Sequence, residues 1–141
     1  MRVGTLIIPS DLQVIGGLTD ELADLFGWET EARSIWLKDE RVEHIRSQRR
    51  TAAEAEFCLQ NIPRVIESPL YWRQDRHHPT GVALVGVVDG RPLLVGLKLV
   101  DKDAARSYVD EIWVRTAFPL SADILMSSEK IAKLRLLTIG A

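Results

Sequence analysis

Two apolar runs in the second half of the chain, roughly Gly81–Val88 and Pro92–Val100, are followed by an alternating stretch over Ser107–Phe118. A period of two marks strands with one face turned to a core. Asp89-Gly90 stands between the first two stretches and favours a two-residue type I′ hairpin. Closing it sets Val88 opposite Arg91, Gly86 opposite Leu93, Leu84 opposite Val95 and Val82 opposite Leu97. The other face then carries Val85, Val87, Leu94, Gly96 and Lys98, also apolar at one end, so neither face reads as fully solvated. In the third stretch Val109, Glu111, Trp113 and Arg115 point one way. Tyr108, Asp110, Ile112, Val114, Thr116 and Phe118 point the other. Pairing Val100 with Ser107 would place Lys98, Glu111, Trp113 and Arg115 on a common face.

The first half reads as mostly helical. Ser10-Asp11 can cap a piece ending at Gly16-Gly17, and Thr19 can cap a second over Glu21–Phe26 with Gly27 as its stop. Arg33–Leu37 has a strand-like composition. A helix follows through Asp39, His44 and Arg46, with Val42 and Ile45 on one face and Arg46 and Arg50 on another. Thr51-Ala52-Ala53-Glu54 is a capping box, so another helix starts at Ala52 and carries Phe57, Cys58, Leu59 and Ile62. Pro63 either ends it or opens a further turn to Glu67. Leu70–Arg73 suits an edge strand, 74–80 a polar loop, and Ser127-Ser128-Glu129 the cap of a last short helix through Leu134. The pattern predicts an α+β fold: N-terminal helices packed on a mainly antiparallel, roughly four-stranded meander sheet, with a short C-terminal helix.

The 141 residues suit one domain, and 46% hydrophobic with 27% charged residues is an ordinary globular mixture. No apolar run approaches the roughly 20 residues that span a bilayer, and the N-terminal stretch is too short for a secretory signal. The expectation is a cytoplasmic protein without membrane contact. One cysteine excludes an internal disulfide, and Cys58 in its apolar helical setting reads as a buried thiol. A net charge of -2 argues mildly against nucleic-acid binding, which draws most of its affinity from phosphate contacts. The cations are clustered, however: Arg41, Arg46, Arg49 and Arg50 in one stretch, Arg64, Arg73, Arg76, His77 and His78 in another.

Three motifs follow one another: His44-Ile45 in a helix; Leu59-Gln60-Asn61-Ile62-Pro63-Arg64-Val65-Ile66-Glu67-Ser68-Pro69; and a meander ending in Val114-Arg115-Thr116-Ala117-Phe118. In that order they resemble the phage-associated barnase/EndoU/colicin/RelE-like (BECR-fold) nuclease domains, over roughly Ile35 to Ser121. The resemblance implies a helical layer on a four-stranded antiparallel sheet and a metal-independent, toxin-like endoribonuclease. It divides the single domain into a helical extension over 1–32, a nuclease-like core over 33–121 and a C-terminal helical segment over 122–141. It also implies that His44 is the helical histidine, Thr116 the hydroxyl of the last strand, and Lys98 or Arg115 the basic residue of the sheet. The chain departs from the family after His-Ile, where it has Arg46-Ser47-Gln48-Arg49-Arg50.

RNA cleavage without metal needs a base, an acid, a cation near the phosphorane and a surface for the nucleobase. His44 can move protons near neutral pH. Arg46, Lys98 and Arg115 can meet developing charge, Thr116 can donate to a phosphate oxygen, and Trp113 or Tyr71 can stack a base. The second proton-transfer group is open among Glu43, Glu111, His77 and His78. Each residue also has a structural role available: His44 at a helix–sheet interface, Lys98 and Arg115 paired with Glu111 across strands, Thr116 as an ordinary strand residue. No phosphate loop, zinc-ligand spacing or nucleophile elbow is present, so no cofactor is expected. The rival to the enzyme is a catalytically inactive domain of the same fold that binds RNA, a protein partner or a second copy of itself. A small-molecule binder using Trp28, Trp36, Trp72 and Trp113 is a third reading.

Overall fold

A computed structural model of the chain describes residues 2–3, 6–7, 12–49, 51–74, 80–105, 108–120 and 135–136. Its elements are β1 (Arg2–Val3), β2 (Leu6–Ile7), β3 (Leu12–Gly17), α1 (Asp20–Phe26), β4 (Ser34–Lys38), α2 (Asp39–Gln48), α3 (Ala52–Glu67), β5 (Tyr71–Gln74), β6 (Gly81–Val88), β7 (Arg91–Val100), α4 (Lys102–Ala105), β8 (Glu111–Pro119) and β9 (Arg135–Leu136). The fold is α+β. β1 and β2 pair with each other, and the other strands form one mixed sheet in the order β3-β4-β8-β7-β6-β5-β9. No helix among the described residues is long and apolar enough to cross a membrane.

The antiparallel meander is present as β5-β6-β7-β8, and its hairpin follows local chemistry. Asp89 and Gly90 take φ of 51° and 77°, as a type I′ turn requires, and the register pairs Val88 with Arg91 and Val82 with Leu97. The sheet is nevertheless wider than a four-stranded meander. β4 joins β8 in parallel, Ile35 beside Ile112 and Trp36 beside Trp113, and β3 adds to β4 antiparallel.

β3 replaces the expected helix ending at Gly16-Gly17. Two β-branched residues followed by two glycines make a weak helix, and the open edge of β4 supplies hydrogen bonds instead. Gly16 also lets α3 come close, since a Cβ there would stand 3.3 Å from Ile66 Cγ2. The β7–β8 register differs as well: Val100 pairs with Glu111, not with Ser107. The charged connection folds into the single turn α4. Asp101 accepts from the Ala104 amide and Asp110 from the Lys102 amide, each at 2.9 Å, so the connection takes up more chain than a tight turn would. The expected C-terminal helix through Leu134, the His77-His78 loop and Arg50 lie outside the described residues.

Helix boundaries follow their caps. Thr19 accepts from the Leu22 amide at 3.2 Å, and Gly27 closes α1 at φ 73°. Thr51 accepts from the Glu54 amide at 3.0 Å to open α3, which continues through Pro63 to Glu67. One face of the sheet is covered by helices: Ile35, Leu84, Val95, Leu97, Ile112 and Val114 meet Ile45, Cys58, Ile62 and Val65, all buried. Phe26 joins Trp28 and Trp72 in the same core, with ring centroids 5.2 and 5.3 Å apart. On the second face a smaller cluster of Ala83, Val85 and Leu94 packs with Tyr71, Phe118 and Leu120.

Candidate functional site

On the helical side of the expected site, His44 and Arg46 are both exposed. Val42 and Ile45 turn α2 toward the core, which leaves His44 exposed. Among the described residues its imidazole makes no hydrogen bond or ion pair, and only its carbonyl is used, accepting from Ser47 Oγ at 2.9 Å. Arg46 is bound to glutamates. Nη1 reaches Glu43 Oε1 at 3.0 Å and Nη2 reaches Glu56 Oε1 on α3 at 3.2 Å. The hydrogen bond to Glu43 does most to hold the guanidinium above its ordinary pKa; desolvation opposes it, and the contacts with Glu56 add to the rise. Two residues along a helix turn the direction by about 200°. Arg46 therefore faces α3, and His44 faces the opposite flank of α2.

The sheet half converges. Lys98 pairs with Trp113 across the β7–β8 ladder, and Trp36 pairs with Trp113 across β4–β8. These side chains share the face away from the helix layer, because their neighbours Ile35, Leu97 and Ile112 are buried on the other. Lys38, two residues beyond Trp36, lays its ammonium 3.4 Å from the centroid of the Trp113 ring. Such a contact offsets part of the cost of holding a cation in a half-buried place. Trp113 Nε1 donates to Glu111 Oε1 at 3.0 Å, so this carboxylate orients the indole.

A bulge completes the group. Gly96 pairs with Thr116 and Leu97 with Val114, which leaves Arg115 as the extra residue of β8. A Cβ built on Gly96 would meet Thr116 Cγ2 at 3.2 Å and Arg115 Cβ at 3.9 Å, so both side chains stand over Gly96 on the second face. Strict alternation puts Thr116 with the core-facing residues. The bulge moves it beside Arg115 and Lys98 and gives the core position to Ala117, which is fully buried. Gly81 opposite Lys98, and Ala83 opposite Gly96, keep the neighbouring floor low.

Tyr71 is not part of this group. It lies opposite Val85 in the apolar cluster of the same face. β5 is three strand spacings from β8, or about 14 Å. Trp28 and Trp72 belong to the helix-side core, so only Trp36 and Trp113 of the four tryptophans face the site. Cys58 is fully buried, and burial pushes its thiol pKa up, which suits a structural thiol rather than a nucleophile.

Lys38 escapes a reading of the sequence, and Trp36 enters it only among the tryptophans of a small-molecule binder. Alternation within Ser34-Ile35-Trp36-Leu37-Lys38 does place both opposite Ile35 and Leu37, but nothing local says that this strand lies beside Trp113. The assembled surface has Lys38, Lys98 and Arg115 around two indoles, with one hydroxyl and one carboxylate. It can hold an anion, and its aromatic rings can take a planar group. In comparisons with known proteins, no family model matches the chain, no curated protein matches its sequence, and no solved structure matches its fold.

Proposed function

We propose that this protein binds single-stranded RNA on the second face of its sheet, as an interaction module. The observation that carries the reading is the arrangement of Lys38 and Lys98 about Trp113, with Arg115 and Thr116 turned to the same face by the bulge. Sequence-tolerant binding of a single strand combines cations that follow the phosphates with aromatic rings beside the bases. The net charge of -2 does not oppose this, because the local group is cationic. The test is fluorescence anisotropy with a short labelled RNA over a range of salt. Removing one cation that neutralises a phosphate should flatten the slope of log K against log salt by about 0.7. Lys98→Ala and Lys38→Ala should each weaken binding and flatten that slope. Binding that ignores both substitutions would remove the reading.

A second reading adds cleavage and keeps the BECR-like, metal-independent endoribonuclease as a proposal. It is favoured by the exposed imidazole of His44, which no hydrogen bond among the described residues occupies. His44 would then act as the acid or base, with Lys98, Arg115 and Thr116 on the phosphate. The arrangement of Arg46 with two glutamates argues against giving it a phosphate contact. Cleavage of total RNA in excess EDTA by wild type, abolished in His44→Ala, would establish it. Equal cleavage by the two proteins would take His44 out of the mechanism.

A further inference from the structure

A cleft of about 590 Å³ opens where the loop before β4 and the first residues of β4 meet α4 and the segment before β8. Trp36 lines it, and so do Tyr108, Lys102 and Asp110 on one side and Glu29 and Glu31 on the other. Its volume falls within the usual range for small planar ligands, roughly 300–1,000 Å³.

Its walls are held before anything binds. Thr30 Oγ1 donates to Asp110 Oδ2 at 2.8 Å, tying the loop to the start of β8 across the cleft. Arg33 Nη1 donates to the carbonyls of Thr30 and Ala32 at 2.8 Å, and Arg33 Nε donates to Asp20 at 2.9 Å. Tyr108 stands on the rim with its side chain 100% exposed, an unusual position for a large aromatic residue. Glu29 and Glu31 are also exposed.

The cleft is continuous with the cationic face, because Trp36 belongs to both. Lys38 follows Trp36 by two residues, about 7 Å along the strand. The charges are weighted differently in the two places: Lys38, Lys98 and Arg115 outnumber Glu111 around Trp113, while the cleft holds Glu29, Glu31 and Asp110 beside Lys102 and an Arg33 already bound to Asp20. A nucleotide is divided in the same way, with an anionic phosphate and a base edge that carries N–H donors. Resting on the RNA reading above, we infer that the cleft takes one base of the bound strand between Trp36 and Tyr108, and that Glu29 and Glu31 select bases carrying an exocyclic amino group. Cytosine, adenine and guanine present such a donor, and a carboxylate accepts from cytosine N4 in known readout geometry. Uracil presents a carbonyl there, which the carboxylates repel.

Cytosine and uracil differ at that position while matching in size, so they make the sharpest pair. The experiment measures anisotropy of labelled oligocytidylate and oligouridylate of equal length, with wild type, Tyr108→Ala and the double variant Glu29→Gln/Glu31→Gln. Circular dichroism checks that each variant is folded. Wild type should prefer oligocytidylate by about fivefold or more, given what one good base contact discriminates. The double variant should bring the ratio close to one; a ratio of affinities cancels the general gain from removing negative charge. Tyr108→Ala should weaken both oligonucleotides at an unchanged salt slope. Equal affinity of wild type for both, or a preference that survives in the double variant, overturns the inference and leaves the RNA reading standing. No salt-sensitive binding of either oligonucleotide overturns the RNA reading itself.

Discussion

The two faces of the sheet are built by the same strands, and they solve different problems. On the helix side β4, β6, β7 and β8 contribute Ile35, Leu84, Val95, Leu97 and Ile112, each with no surface left to water. On the other side β4, β7 and β8 contribute Trp36, Lys38, Lys98 and Trp113, all half-buried, with the Lys38 ammonium over the Trp113 indole and Lys98 opposite Trp113 in the ladder. Alternation makes the two sets independent: what faces α3 is chosen for volume, and what faces away can be chosen for chemistry. The comparison teaches that stability and recognition can be probed separately in this protein, one residue apart on the same strand.

The largest expected effect is on the covered face. Leu84→Ala removes a fully buried side chain beneath the helices and should cost about 2–5 kcal/mol in urea unfolding. A loss below about 1 kcal/mol would show that the face repacks easily and would blur the contrast. Two glycines give a finer test. A Cβ at Gly86 would meet the Val65 Cα and Cγ2 of α3 at 3.4 Å, so the branched side chain of Gly86→Val must push the helix away and should cost about 1–3 kcal/mol. A Cβ on Gly96, on the second face, meets Thr116 Cγ2 at 3.2 Å with Arg115 Cβ and the Thr116 amide nitrogen at 3.9 Å, and the half-buried Thr116 side chain can turn aside. Gly96→Ala should therefore cost less than Gly86→Val, about 1 kcal/mol, by the same measurement. Equal losses for the two would mean that the second face is packed as tightly as the first. Smaller still, Lys38→Ala gives up its interaction with Trp113 and should cost no more than about 1 kcal/mol of stability, read from the unfolding midpoint. A larger loss would mark Lys38 as a structural residue first.

Much of the covered face is legible in the sequence, because the signals that build it are local. Asp89-Gly90 sets the hairpin turn, the turn sets the register, and the register sorts Leu84 and Val95 from Val85 and Leu94. Thr19, Gly27 and Thr51 mark their helix ends in the same way. The second face is legible only in part. Lys98, Trp113 and Arg115 fall together even in the wrong register, since the true pairing of Val100 with Glu111 differs by an even number of residues from the expected one. Thr116 joins them only through a bulge, and a bulge is written in the partner strand and its packing rather than in the strand itself. Lys38 and Trp36 depend on a parallel pairing of two distant segments, for which no short-range residue code exists. Leu12–Gly17 is a strand where a helix was expected, because so short a mixture of apolar and polar residues suits either until the neighbouring edge decides.

The parallel seam between β4 and β8 also has a consequence for how the protein is made. Ile35 leaves the ribosome roughly 80 residues ahead of its neighbour Ile112, a delay of about 4–16 s at ordinary rates of elongation. Throughout that interval Ser34–Lys38 has no β8 to lie against, and the hydrophobic side chains of Ile35, Trp36 and Leu37 form a short sticky segment on the nascent chain. The meander can close behind it by its own hairpin, but the seam must wait for the last of its strands. Folding during synthesis therefore joins Trp36 to Trp113 late, after the hairpin can close and before β9 can reach β5.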